Sequence, residues 1–376
     1  MNIAVNTRLL IKDKLEGIGW FTFESLKRIT VQHPEHRFFF IFDRPYDPAF
    51  LFSDNITPFV LFPPARHPLL FCIWFDIALP RLLNRLKPDL FLSPDGFLSL
   101  HTRVKSLAVF HDLNFEHYPE DLPYWYYRYY HHYFPKFARK AARIATVSKY
   151  SREDISRQYG VDPEKIDVVY NGANEQFGPL TAGEQQAVRD KYTGGAPYFI
   201  FIGSLHPRKN LVNLFRAFDL FRESRPSTVK LLIVGAKKWW TRPINQAFGE
   251  MKHRDEVVFS GRAGAADLGK MLASSLALTY VSYFEGFGIP IVEAFRCRTA
   301  IITSNVTSMP EVAGEAALLV DPFDPESIAK AMRDLYDSSE LREELIRRGT
   351  LRQSLFSWQQ TADLLWQSIE KAIQTD

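Results

Sequence analysis

The sequence EGFGIPIVEA, residues 285–294, points most directly to a fold and a binding site. It places Glu285 and Glu293 on either side of a Gly-Phe-Gly turn that leads into a helix predicted to begin near Pro290. Proline suits the first helical turn because an N–H there would have no partner, and glycine lets the backbone approach a ligand closely. The unpaired N–H groups and the helix dipole favour an anion. The segment can therefore hold a phosphate, with Glu293 accepting hydrogen bonds from a nearby diol.

Strand and helix patterns alternate on both sides of this segment and predict an α/β fold. Short apolar strands are predicted at residues 2–6, 37–42, 89–92, 106–110, 143–147 and 166–169, and again at 198–203, 230–235, 257–261, 276–281, 300–303 and 316–320. Helices are predicted between them, among others at 18–31, 69–86, 123–141, 149–158 and 209–222. Such alternation implies parallel sheets that are covered by helices on both faces.

A change in composition divides this pattern into two domains. Residues 171–186, NGANEQFGPLTAGEQQ, are rich in Gly and Asn and have little periodicity, so we interpret them as a linker. The tail from residue 325 is predicted to be helical, broken near Gly349 and Phe356, with a last helix over about 358–373. Ligands of open parallel sheets bind beyond the carboxyl ends of the strands, so we expect the site in the cleft between two such domains.

Composition excludes several classes of protein. A chain of 376 residues suits two domains, and its net charge of +3 is too small to indicate a nucleic-acid partner. Cys72 and Cys297 are far apart, which predicts no disulfide scaffold and no cysteine metal site, and fits a reducing cytoplasm. No charged leader precedes an apolar run. No segment has about 18 uninterrupted apolar residues, so we expect no membrane span.

A pair of cations follows the first strand of the second domain. In GSLHPRKN, residues 203–210, Gly203 ends a strand, and Arg208 and Lys209 stand just before a helix. Positive charge is poorly placed at a helix N-terminus, so we expect these side chains to bind an external anion such as a diphosphate. The alternative is two solvated surface charges.

Two further candidates end strands of the first domain. In FHDLNFEHYP, residues 110–119, His111 and Asp112 should point from the carboxyl edge of the sheet, where they can bind sugar hydroxyls or act as a general base. The alternative is a structural hydrogen bond that holds the next loop. In EGIG, residues 16–19, Gly17 and Gly19 can turn backbone N–H groups towards a phosphate or an acceptor, although an ordinary strand–helix turn explains them equally well.

Other chemistries fit the motifs less well. Glu285 and Glu293 suggest a glycosidase pair, but nothing else in the sequence supplies an acid and a nucleophile. GFGIP has only two of the three spaced glycines that a dinucleotide-binding dehydrogenase needs. No cluster of His, Cys and Asp with metal-ligand spacing is evident in the sequence, so we expect no bound metal.

Taken together and in order, these motifs resemble the retaining nucleotide-sugar glycosyltransferases of glycosyltransferase family 4, which have the GT-B fold. Besides the segments already quoted, the resemblance includes TVSKYSREDI (146–155), VVYNGANEQF (168–177), VVFSGR (257–262) and TSNVTSMPEVAGEAALLVDPFD (303–324). The amino-acid sequences of the last segments are most similar to those of mannosyltransferases of bacterial surface-polysaccharide pathways. The resemblance implies two Rossmann-like domains, an acceptor-binding one over 1–175 with a crossover helix over 357–376, and a donor-binding one over 176–356.

The resemblance also implies roles for individual residues. Arg208 and Lys209 are expected to bind the donor diphosphate and stabilise the leaving group, Glu293 to hold the ribose hydroxyls, and Glu285 to lie at the donor sugar. Replacing Lys209 or Glu293 by Ala is expected to abolish transfer and leave the fold intact. The remaining expected donor contacts come from strand ends and from the Gly-Phe-Gly turn: Gly203, Gly261, Arg262, Gly286, Phe287, Gly288 and Ile289.

In the first domain the resemblance implies a catalytic role for His111, which is expected to face the transferred sugar near its 6-hydroxyl. Gly17, Gly19 and Asp112 are expected to form a phosphate or acceptor loop. Family members work without a metal or other cofactor. They retain the anomeric configuration, so we expect front-face attack, with the departing phosphate oxygen taking the acceptor proton.

The expected substrates are GDP-mannose and a saccharide or lipid-linked saccharide acceptor. The alternatives are a UDP-sugar donor, an epimerase or phosphorylase on a related fold, and a non-catalytic nucleotide-sugar-binding protein. Aromatic residues make up 14% of the chain and cluster at 59–87 and 124–134. The first cluster mixes apolar residues with arginines, which would suit peripheral association with the inner face of the membrane; a core helix is the favoured alternative. The second cluster predicts either an acceptor groove or buried packing.

Overall fold

The computed structural model describes residues 1–375, apart from the side chain of Lys238, and divides into two compact units. Unit 1 contains Met1–Gly172 together with the C-terminal helix that begins at Trp358, and unit 2 contains Ala173–Ser357. The sequence placed the first boundary after residue 175 and the second after residue 356.

Unit 1 is built on a parallel sheet whose strand order, among residues 1–375, is β3-β2-β1-β4-β5-β6-β7. Its strands are β1 (Asn2–Asn6), β2 (Arg37–Phe42), β3 (Ile56–Val60), β4 (Leu90–Ser93), β5 (Ser106–Phe110), β6 (Arg143–Thr146) and β7 (Ile166–Val168). Its helices are α1 (Gly17–Gln32), α2 (Pro68–Ile73), α3 (Leu79–Leu86), α4 (Asn114–His117), α5 (Tyr124–Lys140), α6 (Lys149–Tyr159) and α15 (Trp358–Gln374). Strand β4 is buried at every position, as expected of a central strand in a parallel sheet.

Strand β3 was missed by the sequence patterns. Pro58 lies in its middle, and a proline within an apolar run argues against a strand because it cannot donate to the ladder. Strand β3 is the outermost strand next to β2, so one side of it has no neighbouring strand to which an N–H at position 58 would donate. The edge position therefore explains why the strand tolerates the proline.

The aromatic residues in the middle of the first cluster lie in the core, whereas Phe62 and Leu69 of the same cluster are exposed. Helices α2 and α3 are joined by a π-helical turn at Trp74–Ala78, so the predicted helix 69–86 is present but irregular. Phe71, Trp74 and Phe75, the residues that would insert into a membrane, are all at most 3% exposed. No helix within residues 1–375 has the length and apolar character that crossing a membrane requires.

The C-terminal helix α15 packs on unit 1. It contacts α1, and Trp366 stacks on the His33 ring with a centroid separation of 3.6 Å. Ser368 and Lys371 of the helix both bond the Asp167 carboxylate of β7, at 2.9 Å in each case. These contacts explain why a helix that follows unit 2 in sequence belongs to unit 1.

Unit 2 is a second parallel sheet whose strand order, over the described part of the chain, is β10-β9-β8-β11-β12-β13. Its strands are β8 (Tyr198–Ile202), β9 (Lys230–Val234), β10 (Val257–Gly261), β11 (Ala277–Tyr280), β12 (Ala300–Ser304) and β13 (Leu318–Val320). Its helices are α7 (Ala182–Thr193), α8 (Leu211–Ser224), α9 (Arg242–Glu250), α10 (Ala265–Ala273), α11 (Ile289–Arg296), α12 (Met309–Ala313), α13 (Pro325–Asp337) and α14 (Ser339–Arg352). The order runs outwards from β8 and β11 in both directions, so the sheet has a switch point between these two strands.

Two details of the helices in unit 2 differ from the sequence prediction. The predicted linker 171–186 overlaps helix α7, which begins after a capping box formed by Thr181 and Glu184. The predicted break at Gly349 is also wrong, because α14 continues through it and the chain instead breaks at Ser338. A Cβ at position 349 would lie 2.6 Å from the Phe295 ring, so the glycine permits close packing of α14 on α11.

Candidate functional site

The carboxyl ends of β8 and β11 bring three of the predicted site residues together. Arg208 and Lys209 lie on a 3₁₀ turn at Pro207–Lys209 after β8, and Glu285 lies in the loop after β11. The Lys209 ammonium is 2.5 Å from Glu285 Oε1 and 2.7 Å from the Tyr280 hydroxyl. An Arg208 guanidinium nitrogen is 3.9 Å from the other oxygen of the same carboxylate. The cations and the carboxylate that the sequence treated separately thus form one cluster.

This cluster is buried and carries an excess of positive charge. Lys209 is 7% exposed and Glu285 is 5% exposed. Burial would raise the pKa of Glu285, but the charges of Lys209 and Arg208 outweigh it and lower that pKa below the usual value for a glutamate. Burial also raises the pKa of Tyr280, which stays neutral. Two cations around one carboxylate leave a net charge that an anion can neutralise.

The cation turn is fixed by hydrogen bonds to neighbouring loops. Asn210 has a left-handed backbone, with φ of 62°, and its side-chain amide donates to the carbonyls of Val281 and Pro322 at 3.0 and 2.6 Å. The Tyr283 N–H donates to the Arg208 carbonyl at 3.0 Å. The turn after β8 is therefore tied to the loop after β11, which carries Glu285.

The Gly-Phe-Gly turn opens helix α11 as predicted. Gly288 is the residue before the helix and has φ of 100°, a conformation that other residues rarely adopt, and a Cβ there would lie 3.0 Å from Ile291. No side chain within residues 1–375 caps this helix start. Pro290 has no N–H and the Ile291 N–H donates to the Gly288 carbonyl at 2.9 Å, so the Ile289 N–H is the group of the first turn that can meet a ligand. The Ser308 hydroxyl is fully buried beneath the turn, within 2.9 and 3.2 Å of the carbonyls of Glu285 and Phe287.

Glu293 lies one turn into α11 in a different environment. Burial raises its pKa from 4.5 to about 8. Across residues 1–375 its carboxyl group has no hydrogen-bond or ion-pair partner. A half-buried acid without a partner can be stabilised by a ligand that supplies hydroxyl groups.

The remaining predicted donor residues lie at the same edge of the sheet. Gly203 directly follows β8 and is in contact with Gly235, which follows β9: a Cβ at position 235 would lie 1.9 Å from the Gly203 carbonyl oxygen. Gly261 ends β10 at a bulge with φ of 72°, and Arg262 beside it is exposed. Ile289 is half-buried at the start of α11.

The predicted residues of the first domain form a group of their own in unit 1. His111 follows β5, and its Nε2 atom is 2.8 Å from the Pro94 carbonyl; burial lowers the pKa of the imidazole. The ring packs edge-on against Phe21 of α1. The exposed Gly17 and the buried Gly19 lie in the first turn of that helix. Asp112 accepts a hydrogen bond from the Asn114 N–H at 3.0 Å, which is the structural role considered as its alternative.

Three residues that shape the site in unit 2 were not singled out from the sequence. Tyr280 binds Lys209, Ser308 holds the Gly-Phe-Gly turn and Gly235 permits the approach of Gly203. The sequence does contain Ser308 and Gly235 at strand or helix ends, but nothing local in it shows what they contact.

A potential metal site is present where the sequence suggested none. The ligand atoms of His33, Glu35 and His36, in the loop between α1 and β2, lie within 4.8 Å of one another. These residues also have structural partners, because His33 stacks on Trp366 and His36 Nδ1 is 3.1 Å from the N-terminal amine. The group belongs to unit 1, whereas the cation cluster belongs to unit 2.

Family comparisons agree with the two-unit architecture. The chain matches the family model for Glycosyltransferase Family 4 over residues 32–177 and that for Glycosyl transferases group 1 over residues 184–352. Together these matches span most of the chain, and the protein belongs to this class of glycosyltransferases. Among curated relatives, it is 29% identical to O-antigen chain mannosyltransferase B of Escherichia coli, over 93% of this chain and 94% of that one.

Solved structures confirm the GT-B fold. Sucrose-phosphate synthase from Thermosynechococcus elongatus matches with a TM-score of 0.79 and 18% identity, covering 100% of both chains. Anabaena Alr3699/HepE, solved in complex with UDP and glucose, matches with a TM-score of 0.77 and 16% identity, covering 98% of this chain and 99% of that one. At these identities the likeness establishes the fold.

Proposed function

We propose that this glycosyltransferase moves mannose from GDP-mannose to a saccharide or lipid-linked saccharide acceptor in cell-surface polysaccharide synthesis. The observation that carries the proposal is the buried cluster of Arg208, Lys209 and Glu285 beside the uncapped start of α11. The similarity to an O-antigen mannosyltransferase over nearly the whole chain supports mannose as the sugar.

Arg208 and Lys209 would supply the main electrostatic contribution to catalysis. Breaking a sugar–diphosphate bond places negative charge on the departing phosphate, and fixed cations in a buried site stabilise that charge in the transition state. Lys209 is held in place by Glu285 and Tyr280, so little reorganisation is needed when the diphosphate binds. The Ile289 N–H at the start of α11 adds a further donor for the phosphate oxygens.

Glu293 would bind the ribose of the nucleotide. Its carboxylate can accept hydrogen bonds from both hydroxyls of a ribose, which are the partners it lacks within residues 1–375. Because its pKa is raised to about 8, binding of the ribose to the charged form would release a proton near neutral pH.

We propose a retaining mechanism, and the state of the two glutamates argues against a covalent intermediate on either of them. Glu285 is held by Lys209 at 2.5 Å, and Glu293 is largely protonated at neutral pH, so neither is well prepared to attack the sugar carbon. We propose front-face attack, in which the acceptor hydroxyl gives its proton to the departing phosphate oxygen. In unit 1, His111 would contact a sugar hydroxyl.

Metal independence is the second mechanistic element of the proposal. Arg208 and Lys209 provide at the diphosphate the positive charge that a divalent cation provides in other transferases. The His33, Glu35 and His36 group belongs to unit 1 and would not take part in this step.

The proposed place of action is the cytoplasmic face of the membrane, with peripheral association. Leu69, Tyr124 and Trp125 are large side chains at least 63% exposed in unit 1. Tyr126, which follows Trp125, donates a hydrogen bond to the backbone carbonyl of Arg66 at 2.7 Å, so Arg66 lies near the same end of α5 as these aromatic residues. Aromatic residues beside basic ones suit a membrane interface.

A thermal-shift experiment with GDP, UDP and ADP, each in EDTA, tests the function. We expect GDP to raise the melting temperature most, and Arg208→Gln to remove most of that shift. The matched control is Arg254→Gln, which removes an arginine elsewhere in unit 2 that is 58% exposed, and this variant should show the full GDP-induced rise in melting temperature. A preference for UDP would indicate a UDP-sugar donor, and GDP binding without turnover would indicate a binding protein. No shift with any nucleotide would contradict the proposal.

A further inference from the structure

Unit 1 contains a cavity of about 490 Å³ that none of the predicted site residues lines. It lies beyond the carboxyl ends of β1–β4, because Arg8 follows β1, Arg44 follows β2, Arg66 comes after β3, and Asp95 follows β4. The carboxyl edge of a parallel sheet is where ligands of this fold class bind. The position alone therefore makes the cavity a candidate site.

The cavity wall is a prearranged network around one buried arginine. Arg8 is 7% exposed; its Nε lies 2.5 Å from the Asp95 carboxylate and its Nη1 donates to the Ala65 carbonyl at 3.0 Å. The guanidinium also lies 4.2 Å from the centre of the Phe97 ring. Asn6 donates to the same Asp95 carboxylate at 2.8 Å. Holding a charged group in this way, at the wall of a cavity, prepares it to meet a ligand without reorganisation.

The charges around the cavity do not cancel. Arg8 is paired with Asp95, and Arg44 is paired with the buried Asp43 through two hydrogen bonds. Lys14 and Arg66 also line the cavity, and neither side chain has an ion-pair partner within residues 1–375. The two unpaired cations leave an excess of about two positive charges, which is the charge of a phosphate monoester or a diphosphate ester near neutral pH.

The rest of the lining is apolar and aromatic. Phe71, Phe97 and Tyr130 contribute rings, and Leu9, Ile11 and Ile18 contribute aliphatic surface. Tyr130 belongs to the aromatic segment 124–134, which the sequence assigned either to an acceptor groove or to packing. Apolar walls with a few fixed polar groups are the usual composition of a small-molecule site, and aromatic rings suit the apolar face of a sugar.

We propose that this cavity binds the phosphate-bearing end of the sugar acceptor, with Arg66 and Lys14 contacting the phosphate and Arg8 fixing its orientation. This inference rests on the proposed transferase function and names the chemical class of its acceptor: a saccharide joined to a phosphate ester rather than a neutral saccharide. The phosphate can belong to a free sugar phosphate or to a lipid diphosphate, since both present the same anionic group. Arg66 lies near the end of α5 that carries the exposed Tyr124 and Trp125, because Tyr126 bonds its backbone carbonyl, so a lipid chain would have apolar surface at this end of the helix.

Calorimetric titration in the presence of saturating GDP tests this inference, because GDP keeps probes out of the proposed donor site. We expect α-D-mannose 1-phosphate to bind at least tenfold more tightly than the neutral methyl α-D-mannoside. The double variant Lys14→Gln/Arg66→Gln should bind the sugar phosphate at least tenfold more weakly than the wild type and bind the neutral sugar with unchanged affinity. Both side chains are exposed, so these substitutions should not disturb folding. The matched control is Arg85→Gln, an exposed arginine of unit 1 that does not line the cavity.

A third probe, mannose joined through a diphosphate to a decyl chain, separates the two sources of phosphate. Tighter binding of this probe than of mannose 1-phosphate would assign the cavity to a lipid-linked acceptor, and equal binding would assign it to a free sugar phosphate. Equal affinity for charged and neutral sugars, or no effect of the double variant, would overturn the inference. The GDP titration that precedes these measurements reports separately on the donor site, so a failure of the proposed function would be seen there.

Discussion

Replacing Lys209 by Met should destabilise unit 2 as well as slow transfer. The substitution removes the partner at 2.5 Å from Glu285, a carboxylate that is only 5% exposed. Breaking a buried ion pair by removing one partner costs roughly 3–5 kcal/mol. Arg208 remains 3.9 Å from the carboxylate and offsets part of this cost, so we expect the lower end, about 3 kcal/mol. The sequence alone had predicted an intact fold for a Lys209 variant, and the ion pair changes that expectation.

Differential scanning calorimetry measures this effect, with hydrogen exchange of β11 peptides to assign the transition of unit 2. For a unit of this size, about 3 kcal/mol corresponds to a melting temperature lower by roughly 6–12 °C. The double variant Lys209→Met/Glu285→Gln should recover most of the loss, because it no longer buries an unpaired charge. Both variants should lose activity by about 10²–10³-fold, since each lacks a leaving-group cation.

Lys252→Met is the matched control for the lysine substitution. Lys252 is also 2.5 Å from a glutamate, Glu223, but its side chain is 74% exposed, so its loss should leave the melting temperature nearly unchanged. The reasoning would be refuted if Lys209→Met melted within about 2 °C of the wild type, or if the double variant were less stable than the single one.

Two further predictions concern Glu293 and Gly235. The folded-state pKa of Glu293, about 8, lies above its ordinary value of 4.5, so the unfolded chain loses this proton first and the folded protein becomes less stable as pH rises between these two values. Glu293→Gln should remove this loss of stability and weaken GDP binding. The assignment would be contradicted if the melting temperatures of variant and wild type differed by the same amount at every pH from about 5 to 9. Gly235→Ala should shift the Gly203 loop, because its Cβ would meet the Gly203 carbonyl oxygen at 1.9 Å, and GDP affinity should fall at least tenfold. The control is Gly249→Ala, where a Cβ meets nothing within 4 Å, and this variant should bind GDP with the wild-type affinity.

The sequence predicted the architecture because its strands are short, apolar and regularly separated by helices. Strand β2 was predicted at 37–42 and lies at Arg37–Phe42, and β10 was predicted at 257–261 and lies at Val257–Gly261. The exceptions have local causes: Pro58 conceals the edge strand β3, and the Gly- and Asn-rich composition around residue 175 extends into the start of α7. Local composition cannot show that an edge strand tolerates a proline or that a capping box already begins a helix.

The sequence predicted which residues belong to the candidate site but not which of them form an ion pair. Residue types at strand ends identified Arg208, Lys209 and Glu285 individually. That Lys209 and Glu285 form an ion pair depends on β8 lying beside β11, which no local pattern in the sequence states. For the same reason the cavity around Arg8 was missed, because its walls come from four strand ends that are distant in sequence.

The central claim is that unit 2 binds a guanosine diphosphate sugar through the Arg208, Lys209 and Glu285 cluster and through Glu293. Calorimetric titration of GDP at about pH 7, in EDTA and in buffers of different ionisation enthalpy, tests it most directly. The account predicts tighter binding of GDP than of UDP or ADP, release of a proton on binding, and loss of that proton release in Glu293→Gln. Binding that is equal for all three nucleotides, or that releases no proton in the wild type, would contradict it.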